Sequence, residues 1–244
     1  MKLVIANWKN NPKILAQAKR IFLSVKKRAG QLKNVEIVIC PPFLYLPELS
    51  ISRSRLKLGG QDCSWEGSIP LTGEVTPSML KSFGAEYVIL GHSERRRYFQ
   101  ETDAVINRKI KSALKTGLKV IFCVGEDPRN QIKKGLKGIR GGVMPQVAIV
   151  YEPLSAISTQ KGSLVVPAEL RQKKTLIQNA LKQMFSRTVS QKIKIIYGGS
   201  VDEKNIKTLL KETEMDGFLI GQASLSSSRF LKIVQFCNRN RRTT

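Results

Sequence analysis

The chain has 244 residues, 41% of them apolar, with 42 Lys+Arg against 18 Asp+Glu and a formal net charge of +24. That much apolar material excludes disorder throughout, and no apolar run approaches the roughly 20 residues that span a bilayer. At roughly 150 residues per domain the length fits one or two domains, and a barrel of this size often forms one.

In chain order, short apolar runs rich in Val and Ile predict strands at Leu3–Trp8, Glu36–Cys40, Leu56–Gln61, Tyr87–Gly91, Val120–Val124, Val147–Tyr151, Ile193–Tyr197 and Phe218–Ile220. Such runs suit strands of a parallel sheet buried on both faces. Between them lie helical patterns. Residues 12–28 carry an apolar stripe at Ile14, Leu15, Ala18, Ile21, Phe22 and Val25, and residues 103–115 carry another. Residues 168–185 and 203–211 follow suit, with Asp103 and Asp202 placed as N-caps. Strands repeat about every 30 residues, the size of one βα unit. Alternating β and α gives an open doubly wound sheet or a closed barrel, and eight units in this length favour the closed (β/α)8 barrel. No composition break marks a linker, so a single domain over residues 1–244 is expected. The glycine-rich, basic stretch Lys133–Gly142 predicts a shortened fifth βα unit.

Cys40, Cys63, Cys123 and Cys237 form no CxxC pair, and reduced, mostly buried thiols are expected. One histidine, His92, rules out a His-rich metal site. The N-terminal apolar stretch is too short for a signal peptide. A soluble cytoplasmic protein is the expectation, with no membrane partner. The Lys and Arg are spread along the chain, so they read as solvated surface before they read as a nucleic-acid groove.

A barrel of this kind carries its chemistry where strands end. Asn7-Trp8-Lys9 follow the first strand, Gly91-His92-Ser93-Glu94 the fourth, and Glu152-Pro153 the sixth. Gly198-Gly199-Ser200 follow the seventh and Gly221-Gln222 the eighth. Taken alone, a strand-end His is more often structural than catalytic, and a Gly-Gly pair is often only a tight turn.

Six motifs in register change that weighing. ANWK at Ala6–Lys9, GHSERR at Gly91–Arg96, CVGE at Cys123–Glu126, YEP at Tyr151–Pro153, YGGSV at Tyr197–Val201 and DGFLIGQASL at Asp216–Leu225 resemble the triosephosphate isomerase family. Ser64–Val75 resembles that family's third, dimer-forming loop. The resemblance implies interconversion of dihydroxyacetone phosphate and glyceraldehyde 3-phosphate through an enediolate, with no metal or organic cofactor. It implies Glu152 as the base, His92 as a neutral electrophile and Lys9 as the stabiliser of enediolate and phosphate charge. Asn7 would hold Lys9 and a substrate oxygen, and Glu94 would support Lys9. Ser158, Ser200, Gly221 and Gln222 would bind phosphate, largely through backbone N–H groups. Leu219 would cover the reacting carbons. Thr72, at the tip of the third loop, would reach a second copy near Asn7 and Lys9, giving a homodimer.

The chain departs from the family pattern at the lid. Pro153–Gln160 reads PLSAISTQ, with Ser155 where a Trp is usual and Ser158 and Gln160 where glycines are. Without the apolar anchor and the glycine freedom, closure and turnover are expected to fall below family-typical values. Gln222 replaces a glycine and is expected to crowd the anion site. A competing reading, from a different class, is a barrel of low or no activity that acts as a basic anion- or nucleic-acid-binding protein. It requires Lys and Arg concentrated on one face and steep salt dependence. A third is a phosphate-binding barrel with another isomerisation.

Overall fold

β-branched side chains pack well on a pleated surface covered from both sides, and the predicted runs form strands accordingly. The computed structural model describes residues 1–50, 55–65, 69–153 and 166–239. Its strands are β1 (Lys2–Asn7), β2 (Val35–Cys40), β3 (Lys57–Gly60), β4 (Ala85–Leu90), β5 (Lys119–Val124), β6 (Val147–Tyr151), β7 (Lys194–Tyr197) and β8 (Gly217–Ile220). Every strand pairs in parallel with the next, and β8 returns to β1 with Ala6 opposite Ile220, closing the barrel. The predicted strands agree to within two residues at either end.

Successive side chains on a strand point to opposite faces, and the apolar residues divide accordingly. Leu3, Ile5, Val38, Tyr87, Ile89, Ile121, Cys123, Val150, Ile196 and Leu219 fill the barrel interior. Val4, Ala6, Val88, Leu90, Val120, Phe122 and Ile149 belong to the outer layer under the helices. The alternation reaches past the strand ends. Ala148 and Val150 face inward, so Glu152 is next on that face. Leu3 and Ile5 are likewise followed by Asn7 and Lys9.

The helices are α1 (Leu15–Ala29), α2 (Leu46–Ser50), α3 (Pro77–Ser82), α4 (Ser93–Tyr98), α5 (Asp103–Lys115), α6 (Pro128–Gly135), α7 (Pro167–Met184), α8 (Arg187–Ser190), α9 (Ile206–Glu212) and α10 (Ser227–Arg239). Two expected caps are corrected. Thr102, not Asp103, caps α5, its Oγ1 accepting from the N–H of Val105. Asp202 instead accepts from the N–H groups of Lys204 and Asn205 in a turn ahead of α9. The fifth unit is short, with α6 followed by a 3₁₀ turn at Gly141–Gln146. There Gly135 presses on Phe122, where a Cβ would lie 2.4 Å from the ring.

A buried ion cluster anchors the segment after β3. Lys109 Nζ on α5 donates to Asp62 at 2.8 and 2.7 Å and to Glu101 at 2.5 Å. Arg95 Nε on α4 lies 2.7 Å from Asp62 and 2.6 Å from Glu101. Burial pushes the Asp62 carboxyl up to about 6, against the pull of Lys109 and Arg95. Two cations facing two carboxylates leave the cluster balanced, as a low-dielectric setting demands. The cluster fixes Gln61 and Asp62, and through them the base of the third loop, against α4 and α5.

Candidate active site

Lys9 carries an unusual backbone, with φ of +52°. A non-glycine residue holds that conformation only where its surroundings impose it, at a cost of about 1–3 kcal/mol. Both of its peptide groups are clamped. Its N–H donates to Asn7 Oδ1 at 3.1 Å, and Gln61 Nε2 donates to its carbonyl at 2.8 Å and to that of Cys40 at 2.9 Å. The ammonium lies 2.5 Å from Glu94 Oε1. Asn7 therefore holds Lys9 by its main chain, and Glu94 by its charge.

After β4 the chain turns at Gly91, with φ of +73°; a Cβ there would lie 3.1 Å from the Cys123 carbonyl. Arg96 braces this turn. Its Nε donates to the Gly91 carbonyl at 2.8 Å, and its Nη1 lies 2.6 Å from Asp103. The turn puts His92 at the N-cap of α4, where Nδ1 accepts from the N–H of Glu94 at 3.2 Å. An imidazole that accepts at Nδ1 carries its proton on Nε2. His92 Nε2 faces Glu152 Oε1 across 3.3 Å.

Glu152 is buried, its side chain 2% exposed. Its Oε2 accepts from the N–H of Ser93 at 3.0 Å, and its own N–H donates to the Val124 carbonyl. Gly198 makes room for it. A Cβ there would sit 2.6 Å from Val150 Cγ1 and 3.1 Å from Glu152 Cγ.

One cleft of about 580 Å³ is shared by Asn7, Lys9, His92, Glu152, Leu219 and the small-residue turns after β7 and β8. Ser200, Gly221 and Gln222 line the same cleft. A Cβ on Gly221 would lie 3.9 Å from Lys9 Cε, so the amine reaches the eighth-strand turn. Gln222–Leu225 form a 3₁₀ turn opening on that cleft. Gln222 has no positive φ among the described residues, so its backbone does not require glycine. Among the described residues, no His, Cys, Asp or Glu side chains gather as a metal-holding group.

An amine, an imidazole and a buried carboxylate thus meet beside turns suited to an anion. The family model for triosephosphate isomerase matches residues 2–237. The chain belongs to the triosephosphate isomerase family. Triosephosphate isomerases of Dictyoglomus turgidum and Dictyoglomus thermophilum are each 40% identical to it, over 96% of this chain and 98% of theirs. That of Alkaliphilus oremlandii is 39% identical over the same shares.

One expected site residue, Ser158, lies outside the described residues, together with most of the Pro153–Gln160 lid. Thr72 is exposed in the third loop, away from this cleft's lining. Sequence reasoning missed Gln61, Arg96 and the N–H of Ser93. Gln61 and Arg96 act by gripping carbonyls, a role that no side-chain motif announces. The Ser93 contact belongs to a backbone group and leaves no trace in the residue letter.

Proposed function

We propose that the chain interconverts dihydroxyacetone phosphate and D-glyceraldehyde 3-phosphate, as a single barrel domain over its whole length. The observation that carries this reading is Glu152 Oε1 facing the proton-bearing Nε2 of His92 across 3.3 Å at the mouth of an anion-ready cleft. Glu152 takes a proton from one substrate carbon and returns it to the neighbouring one. His92 Nε2–H donates to the substrate oxygen on which negative charge develops, and the hydroxyl proton of the other oxygen passes to it there, so that carbonyl and hydroxyl exchange places. Lys9 stabilises that charge and the phosphate together. Asn7 and Glu94 keep Lys9 in place, and Leu219 keeps water from the enediolate. Ser158, Ser200, Gly221 and Gln222 receive the phosphate.

A coupled isomerase assay on the purified protein tests the reading. His92→Gln is expected to lower kcat by about 10²-fold with little change in KM, the usual loss on removing one donor to a developing oxyanion. Absence of isomerase activity in the unmodified protein would sink the proposal, and an unchanged kcat would remove His92 from its role.

The working form is a homodimer. Exposed large apolar side chains concentrate in the units from β2 to β4: Leu44, Ile69, Met79, Phe83, Tyr98 and Phe99. Exposed apolar side chains in number suit an interface, and the third loop that carries Thr72 supplies Ile69 and Leu71 among them. Thr72 would reach towards the partner subunit's Asn7 and the partner's Lys9. Sedimentation velocity is expected to give twice the mass of one chain, and Phe83→Lys to shift it to the monomer. A monomeric unmodified protein would refute the dimer. Among the described residues no helix is long and apolar enough to cross a membrane, and four unpaired cysteines support a reducing, cytoplasmic setting.

A further inference from the structure

The cleft has a second cation that neither the motifs nor the proposed mechanism uses. Arg229, on α10, lines it together with Ser200, Gly221 and Gln222. Its Nε lies 2.9 Å from both carboxylate oxygens of Glu203, in the segment between β7 and α9. One N–H of the guanidinium is thereby committed. The four on Nη1 and Nη2 have no acceptor among the described residues. Glu203 fixes the plane of the fork and leaves its outer edge for another anion.

A phosphate dianion in the cleft has a use for such a group. Lys9 is already paired with Glu94. Asp202 lines the same cleft, its Oδ1 taken up by the N–H groups of Lys204 and Asn205, and Gln222 lines it too. A phosphate dianion in the cleft would gain from a second cation beside Lys9 and the backbone N–H groups. Arginine suits the task better than lysine, because its planar fork binds carboxylate and phosphate at once and loses less freedom on binding.

We infer that Arg229, oriented by Glu203, is an additional phosphate-binding residue of this chain and joins the β7 and β8 turns around the substrate's phosphoryl group. The inference rests on the triose phosphate reading for its substrate, but its anion chemistry can be measured without turnover.

The experiment combines calorimetric titration of the full chain with inorganic phosphate and steady-state kinetics with glyceraldehyde 3-phosphate. Arg229→Gln is expected to weaken inorganic phosphate about tenfold and to raise KM about tenfold, with kcat within about twofold, the size of one charge-assisted contact at a half-exposed site. Glu203→Gln, which leaves the arginine but frees it, is expected to cost about threefold in both. Arg229→Lys is expected to recover part of the phosphate affinity lost in Arg229→Gln. A melting temperature lowered in Arg229→Gln with phosphate affinity and KM both unchanged would overturn the inference and leave Arg229 a strap between α10 and the β7 turn. If Arg229→Gln fails to fold, Arg229→Lys and Glu203→Gln decide it, and unchanged phosphate affinity in both is the overturning result. Arg229-dependent phosphate binding in a protein without isomerase activity would uphold this inference while the functional reading fails.

Discussion

Glu152→Gln is expected to lower kcat by about 10³-fold, within the range that a positioned general base supplies. The substitution preserves shape and retains an acceptor for the Ser93 N–H, 3.0 Å away in the native site. It removes only the charge and the basic lone pair. Because the side chain is only 2% exposed, the neutral amide also escapes the cost of holding a buried anion, so melting temperature is expected to stay level or rise. KM changes little, since the group acts on the carbon skeleton rather than on the phosphate. Loss of activity with unaltered circular dichroism and a raised or steady melting point is the signature to look for. A kcat within about tenfold of the unmodified protein would show that another group carries the proton.

Lys9→Met is expected to damage both kinetic constants. Its ammonium sits between the strand-one end and the eighth-strand turn, with Cε 3.9 Å from a Cβ placed on Gly221. On the proposed mechanism, one charge there would serve two clients, the developing oxyanion and the phosphate. Removing an oxyanion-stabilising donor costs about 10²–10³-fold in kcat. The lost phosphate contact adds about tenfold in KM. Methionine keeps the length of the stem, and Asn7 and Gln61 still clamp the peptide groups on either side. The barrel is therefore expected to fold, with Glu94 left unpaired but partly solvated. A variant with raised KM and normal kcat would confine Lys9 to binding.

The eight strands are legible in the sequence because each is a Val- and Ile-rich run bounded by turn residues, and a parallel strand buried on both faces needs little else. Inward alternation then carries Asn7, Lys9 and Glu152 to the mouth, so much of the site follows from strand parity. His92 does not follow from parity. It depends on the left-handed turn at Gly91, which a glycine permits but does not announce. α10 escapes the sequence reading although Phe230, Ile233, Val234 and Cys237 form its buried stripe and the serines ahead of it are ordinary helix-start residues. α4 is shorter still and shows mainly arginines. Lys109 reads as a surface lysine on an amphipathic helix. Its burial follows from Asp62, a carboxylate distant in sequence that the fold brings to it, and from Glu101, just ahead of its own helix.

All four sulfhydryls are buried, Cys40 and Cys123 among the side chains that plug the barrel. Loss of contact with water raises each thiol's pKa, to about 12 for Cys237. The thiolate is the species that alkylating and oxidising reagents attack. An intact molecule therefore offers such reagents nothing, whereas a molecule that has come apart offers several targets at once. Alkylation at these positions becomes an internal clock for global opening, ticking at the rate at which the barrel itself comes undone.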